Sequence, residues 1–504
     1  MIVVSFSIIV FIIPNPANHD PIYIEGDIEF KSLKGVSSGS GTPSDPYIIQ
    51  GWKINSSANH GICIKNTTAY FKIRNCQIYG DKWNLHDGIY LENCSNGFIQ
   101  SNSINNNYLG IFYCKSTDAV VSDNSCFNNS YGVFIENSKM IRISNNSCSN
   151  NSSYGVFINN SNMIGVSNNS CSNNSDNGIC LSYSTNNTLS NNTLRNDGVY
   201  IWGKYPSHWN THSIDTSNAV NGKPIRYYKN QTGMIVPLAT GQIILTNCTN
   251  IAVHQQNISG TGDAIQISFS KNISIENNIF CNNEFRGISL IGSDGNILRN
   301  NICSNNGLDG ISIGSSNNNI LTNNNCSNNF DAGLILDSSN NNSVLNNTCL
   351  SNDNGICLFE SFVNVLRFNN YSNNHYGIDF HYSSNNSISN NIISKNTGYG
   401  LHIEAGDRNI IWNGLHKEPG SNNTIWNNAF IGNNGAGSTY NSGTIQAFDD
   451  TTNNRWNSSD GYGNFWNDWV TPDIADRLGI VDNPYVIAGN AHIKDCYPLV
   501  NRPI

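Results

Sequence analysis

Apolar residues in this 504-residue chain recur at every second position, in runs of three to five, and apart from the first interval and an interruption after Gly178 the runs repeat every 22 or 23 residues. Gly plus an aliphatic residue opens each repeat at Gly61, Gly88, Gly110, Gly132, Gly155 and Gly178. The series resumes at Gly287, Gly310, Gly333, Gly355, Gly377 and Gly400, with Ala264 in the slot before Gly287. The consensus reads G-[IV]-x-[IL]-x-x-S-x-x-x-[IV]-x-x-N-N-x-[C/I]-x-x-N. Period-two alternation marks short half-buried strands. One repeat holds three of them, as at 133–135, 141–143 and 147–149, and no helix-length segment intervenes. A repeat of this length is one turn of a solenoid, stacked at the inter-strand spacing of about 4.8 Å. The pattern predicts an all-β chain: a single-stranded right-handed parallel β-helix of about 13 coils, three short strands each.

Two neighbouring repeats, SYGVFIENSKMIRISNNSCSNN and SYGVFINNSNMIGVSNNSCSNN, differ at four of 22 positions. Such repetition gives asparagine a structural task. Asn tolerates the left-handed backbone of a tight corner, and stacked carboxamides bond to the rungs on either side. Asn145, Asn168, Asn277, Asn324, Asn346 and Asn390 lie in or beside that slot. The 15 cysteines resolve similarly. Position 17 of the coil is Cys126, Cys148, Cys171, Cys303, Cys326 or Cys349, and elsewhere Ile104, Leu194, Phe280, Tyr371 or Ile393. A slot shared with Ile, Leu and Phe faces the core, where Cys acts as a small hydrophobe. No C-x-x-C pair points to zinc.

The period sets the organisation: an apolar export or anchor segment at 1–19, a first cap at 20–60, coils at 61–202, an insertion at 203–250, coils at 251–435, and a second cap at 436–504. In the insertion, Asn221–Pro224 (NGKP) reads as a turn between strands. Solenoid ends need caps. The aromatics Trp456, Phe465, Trp466, Trp469 and Tyr485 read as the core of the second cap.

Composition narrows the function. Charged residues are 12% of the chain, about half the usual ~25%. The net charge is −9 and no basic stripe exists, which argues against nucleic acid as partner. Residues 1–14, MIVVSFSIIVFIIP, match the apolar core of a secretory signal, though not its basic start, and fall short of a confident membrane span. Asn-x-Ser/Thr sequons recur, among them Asn66, Asn145 and Asn457. The expected location is extracellular, cell-surface or periplasmic. Oligomeric state is left open.

The repeats resemble those of carbohydrate-binding and sugar-hydrolysis (CASH) domains. More closely, they resemble the β-helix of the NosD family of periplasmic copper-binding proteins, common among exported archaeal proteins. The resemblance rests on GVSSGSGTPSDPYIIQGWKI near the start, NTHSIDTSNAVNGKPI and GQIILTNCTNI at the insertion, and GYGNFWNDW, GIVDNPYVI and YPLV at the end. It implies copper through the family's name, and calcium through an acidic loop that many members carry. Here that stretch is TPDIADRLGIVD, and Asp473, Asp476 and Asp482 lack calcium-loop spacing. Only four Met are present. The sequence shows no compact His/Cys/Met cluster, so no metal ligand is assigned.

Chemistry is expected where successive coils disagree on the outward side of the Gly-led strand. One ladder is an aromatic stripe, Tyr90, Phe112, Phe134 and Phe157, flanked by Glu92 and Glu136. Flat sugars stack on rings and carboxylates bond hydroxyls, so this is the candidate carbohydrate face. The second is the patch Asp379, His381, His402 and Glu404, with Asp337 two coils back. Its segment YGIDFH partly resembles the YG-x-D-P-H-D motif of alginate C5-epimerases. Asp379 and His381 match, while Phe380 replaces Pro and Tyr382 the last Asp. The resemblance implies a His base acting on the carbon next to a carboxylate, with Tyr376 or Tyr382 returning a proton. No Arg or Lys is evident there to neutralise a uronate, and beside catalysis the patch reads as a divalent-metal or sugar-binding site or as a plain solvated polar face. The lead expectation is therefore a non-catalytic carbohydrate-binding or structural protein with a polysaccharide or glycan partner. The alternatives are a uronan epimerase or lyase, and a copper-binding accessory protein.

Overall fold

A computed structural model describes residues 16–404, 421–469 and 479–503. The apolar start (residues 1–15), Asp473 and Asp476 lie outside the described residues. The chain folds as two compact units, residues 1–193 with 211–213, and residues 194–210 with 214–504. Both are right-handed parallel β-solenoid. Together they hold about 16 turns, more than the 13 that the Gly slots mark. Two of the extra strands open without the consensus. Ile22–Glu25 follows Pro21 and pairs with Ile62–Lys65, while Ala447–Asp449 follows Gln446 and pairs with Leu401–Ile403.

In the first unit the coil strands pair in parallel with the strand one coil on, while Val36–Ser38 pairs antiparallel with Tyr47–Gln50. Ile89, Ile111, Val133, Val156 and Ile179 line up in register on the Gly-led wall. Ile73, Ile99, Val121, Ile143, Val166 and Leu189 line a second wall. Ile104, Cys126, Cys148 and Cys171 line the third. All are essentially inaccessible to solvent. Each buried aliphatic side chain contributes roughly 1.5–3 kcal/mol of transfer free energy. The coil-opening glycine is explained by close approach: a Cβ on Gly132 would sit 2.5 Å from the Gly155 carbonyl oxygen.

The Asn-Asn pair divides its labour. The first member turns the corner: Asn145, Asn168, Asn277, Asn346 and Asn390 have φ of 56°, 55°, 56°, 55° and 59°. The second stacks. Asn124 Nδ2 donates to Asn146 Oδ1 at 3.0 Å, and Asn146 Nδ2 to Asn169 Oδ1 at 3.0 Å. In the second unit Asn278, Asn301, Asn324 and Asn347 form the same chain at 2.9, 3.0 and 2.9 Å. Of the six expected positions Asn324 belongs to the buried ladder, while the corner residues Asn277 and Asn390 accept from the next corner asparagines, Asn300 and Asn427.

The second unit repeats the plan. Ile265, Ile288, Ile311, Leu334, Ile356, Ile378 and Leu401 form its Gly-led core column. Phe280, Cys303, Cys326, Cys349, Tyr371 and Ile393 fill position 17, all fully buried. All 15 cysteines are free thiols. Asn221 and Gly222, with φ of 49° and 78°, make a two-residue turn joining the antiparallel strands Ala219–Val220 and Lys223–Lys229. Lys223–Lys229 then rejoins the parallel wall against Gln242–Thr246. At the far end Phe430, Trp466 and Tyr485 stack with centroids 4.2 and 4.0 Å apart, all fully buried. Asp449 and Asp495 accept the Trp456 and Trp466 indole N–H groups at 3.0 Å each. Of the aromatics assigned to the second cap, Trp456, Trp466 and Tyr485 are core, whereas Phe465 and Trp469 are half-buried.

Candidate functional site

Strand alternation turns every second side chain of the Gly-led wall outward. In the first unit this builds an aromatic ladder on strands Ile89–Cys94, Leu109–Cys114, Tyr131–Glu136 and Tyr154–Asn159. Ring centroids are 5.4 Å apart for Tyr90–Phe112, 5.1 Å for Phe112–Phe134 and 4.8 Å for Phe134–Phe157. Sequence reasoning missed a second row. Tyr131 stacks on Phe134 at 5.4 Å and Tyr154 on Phe157 at 4.9 Å, widening the stripe into a platform. Leu109, Phe112 and Cys114 form a buried apolar cluster of their own, with Tyr90, Tyr108, Tyr131 and Phe134 packed against it. Phe112 is buried; Tyr90, Phe134 and Phe157 are half-buried.

The two flanking carboxylates differ. Glu92 accepts from the Tyr90 hydroxyl at 3.0 Å and pairs with Lys115 at 3.1 Å and Lys65 at 3.5 Å. The Lys115 hydrogen bond leads the influences that hold its carboxyl below the usual range. Glu136 accepts from Asn159 at 3.3 Å and from the Cys114 thiol at 3.9 Å. At the Tyr90 end the His60 ring lies 4.8 Å away and the Lys65 ammonium 4.9 Å above the ring. There the ladder meets a groove of about 560 Å³ lined by Tyr23, His60, Cys63, Lys65 and His86. Behind it Asp87, pushed up to about 7 by burial, lies 3.4 Å from His60, whose own pKa burial lowers. The spacing of the Gly repeat gives no signal of this groove, because Tyr23 and His60 precede the coil that carries Cys63, Lys65 and His86.

The second unit carries the other patch. Registers Cys357–Asp379–His402 and Phe359–His381–Glu404 align two outward columns on adjacent strands. Asp379 is buried and central. Its two oxygens face His381 Nε2 at 2.9 Å and His402 Nδ1 at 2.8 Å. Glu404 Oε2 lies 3.5 Å from the other His381 nitrogen. Burial, the largest influence on Asp379, raises its pKa. The hydrogen bonds from His381 and His402 outweigh it and hold the carboxyl below its usual range. The hydrogen bond to Asp379 raises His381 against the opposing effect of burial. Tyr376 and Phe448 stack on His402 at 4.7 and 5.1 Å. Burial first, then the Asp379 charge, raises the Tyr376 phenol. Phe380, which stands where the epimerase motif has Pro, is fully buried in the core. Asp337 is exposed and belongs to a strand two coils away.

The structure also supplies a cluster that sequence reasoning did not assemble. Cys357, Asp379 and His381 each place one ligand-type atom so that all lie within 4.8 Å of one another. Cys357 and Asp379 were legible as neighbours in one outward column and His381 in the next, but which of their atoms converge depends on side-chain direction across coils.

Fold and faces define a parallel β-helix protein with two built outward surfaces. Residues 43–214 match the family model described as periplasmic copper-binding protein (NosD), and residues 241–383 the one described as right handed beta helix region. With the solenoid, these matches support a NosD-type parallel β-helix family. No curated protein matches it. Among solved structures it is similar to the periplasmic alginate epimerase AlgG, at 13% identity over 76% of this chain and 80% of that one, TM-score 0.27. A second is the Azotobacter vinelandii mannuronan C-5 epimerase AlgE6 A-module, at 12% identity over 64% and 88%, TM-score 0.27. No helix among the described residues is long and apolar enough to cross a membrane.

The copper of the family description can be tested on the residues present. Cu(I) selects soft thiolate and thioether ligands. The cluster offers one thiolate beside an imidazole and a carboxylate. That set does not fit Cu(I).

Proposed function

We propose that this protein is an exported carbohydrate-binding β-helix protein whose contact surface is the aromatic ladder of the first unit. One observation carries the reading: Tyr90, Phe112, Phe134 and Phe157, widened by Tyr131 and Tyr154, form a continuous outward platform separate from the core. Contiguous apolar surface on a polar chain marks a contact site. Rings at one-coil spacing suit the apolar faces of successive sugar rings. Glu136 and Asn159 supply hydroxyl partners at the edge. Glu92 is held by its two lysines and acts as a brace. The groove at the Tyr90 end falls in the size range of small-ligand sites. It would take the end of a glycan chain.

The ligand favoured is a neutral polysaccharide, since the chain carries a net charge of −9. The uronan epimerase or lyase reading lacks its cation. Among the described residues every ion pair of Asp379 and Glu404 is with His381 or His402. Affinity electrophoresis and a glycan array with the full-length protein test the proposal. Retention on a neutral glucan or mannan, reduced at least tenfold in Phe134→Ala/Phe157→Ala with an unchanged melting temperature, is the expected result. Equal retention of the double variant would remove the ladder from the binding surface. Unsaturated or epimerised uronate products would replace this reading with the enzymatic one.

A further inference from the structure

We propose that Cys357, Asp379 and His381 bind one divalent transition-metal ion of the zinc class, with Glu404 and His402 as the residues that orient the ligands. The proposal is independent of the carbohydrate face. Zinc takes exactly this mixture of donors: thiolate sulfur, imidazole nitrogen and carboxylate oxygen. Calcium and magnesium would want oxygen alone. The three ligand-type atoms lie within 4.8 Å of one another because the strands that carry them are adjacent rungs in register.

The surroundings are those of a built site. A metal-ligating histidine commonly gives its second ring nitrogen to a carboxylate, which fixes the tautomer and turns the first nitrogen to the ion. Here Glu404 lies 3.5 Å from His381 Nδ1, while Nε2 faces Asp379 Oδ2 at 2.9 Å. Ligating carboxylates are themselves hydrogen-bonded. His402 holds the other Asp379 oxygen at 2.8 Å and is itself clamped between the Tyr376 and Phe448 rings. Asp379 is buried, which limits its freedom to turn away. Cys357 differs from the position-17 cysteines: it projects from the outward side of its strand and is partly accessible. Binding would displace the thiol proton and the proton shared by His381 and Asp379, as metal binding to such groups does generally. Three protein ligands leave a fourth position for water.

The probe is Co(II), added to the reduced full-length protein under anaerobic conditions. The expected result is saturation at one equivalent, with a thiolate-to-cobalt charge-transfer band in the near ultraviolet, reversed by one equivalent of Zn(II). Cys357→Ser should lose the band. His381→Ala and Asp379→Asn should weaken binding at least tenfold, and Glu404→Gln by about tenfold. Absence of saturable binding, or a charge-transfer band that survives in Cys357→Ser, overturns the proposal. If Cys357→Ser fails to fold, Glu404→Gln decides, since Glu404 is exposed: unchanged affinity overturns the arrangement. One equivalent of Cu(I) retained by a protein that binds neither Co(II) nor Zn(II) overturns the class of ion.

Discussion

Asp379 and His381 stand two residues apart on one strand, and the Asp379 carboxylate meets His381 Nε2 at 2.9 Å. Side chains at i and i+2 share a strand face. The pair is therefore set by the local backbone, while His402 reaches Asp379 from the next coil at 2.8 Å. The first contact needs one strand alone, and the second needs the register between two coils.

This pairing predicts the pH behaviour of the patch. His381 titrates above its ordinary value, so its contribution to stability is complete below the unfolded histidine pKa and is lost as pH rises through the folded one. Asp379 titrates below its ordinary value, so its share is present above the unfolded carboxylate pKa and lost as pH falls through the folded one. The charged pair thus stabilises between the lowered Asp379 pKa and the raised His381 pKa. Metal-free NMR titration should place the His381 imidazole above ~6.5. Asp379→Asn should bring it down. A His381 resonance that titrates identically in both proteins would contradict the pairing.

Thiol chemistry tests the placement of cysteine. Of 15 free cysteines, 12 are buried, Cys281 and Cys357 are partly accessible and Cys496 is exposed. A disulfide-exchange reagent should titrate Cys496 promptly, Cys281 and Cys357 more slowly, and the remainder only in denaturant. Reductant should leave the melting temperature unchanged. Rapid native reaction of six or more thiols would mean that the Cys126–Cys148–Cys171 and Cys303–Cys326–Cys349 columns do not face the core.

The end of the second unit gives a stability prediction. Trp466 is fully buried, stacked between Phe430 and Tyr485, with its indole N–H on buried Asp495. Trp466→Ala should cost roughly 3–5 kcal/mol by cavity formation, more if Asp495 is left unpartnered. Urea denaturation read by circular dichroism checks it. Trp469→Ala, at a less buried ring, should cost less.

The repeat was legible because one physical demand recurs in every coil. A strand pair one coil apart needs the same inward aliphatic, the same small residue at the Gly155–Gly178 type of approach, and the same Asn corner. Where the demand is met by other residues the signal fades. Ile22–Glu25 follows Pro, and Ala447–Asp449 follows Gln, so the turn number was undercounted. The candidate patches were legible only as columns. Which atoms meet depends on side-chain direction across coils: Tyr131 and Tyr154 belong to the preceding corner in sequence yet lie against Phe134 and Phe157. Cys357 was legible as an outward column member, but its approach to Asp379 and His381 was not.

The two halves of the Asn-Asn pair separate experimentally at Asn145 and Asn146. Asn145 is exposed and its burden is backbone: φ is 56°. Asn145→Gly should be close to neutral, whereas Asn145→Ala should cost about 1–2 kcal/mol for a left-handed conformation. Asn146 has an ordinary corner backbone and a buried carboxamide. Its Oδ1 accepts from the Asn124 backbone N–H and from Asn124 Nδ2, both at 3.0 Å, and its Nδ2 donates to the Val121 carbonyl at 2.9 Å. Asn146→Ala strands these partners away from water, at a cost of about 1–3 kcal/mol for each group left unsatisfied. Asn146→Gly should be no better than Ala there, since no backbone strain is relieved. Equilibrium unfolding of the four variants reads the result directly. A Gly rescue at 146, or none at 145, would mean that corner and ladder are not divided between the two residues in this way.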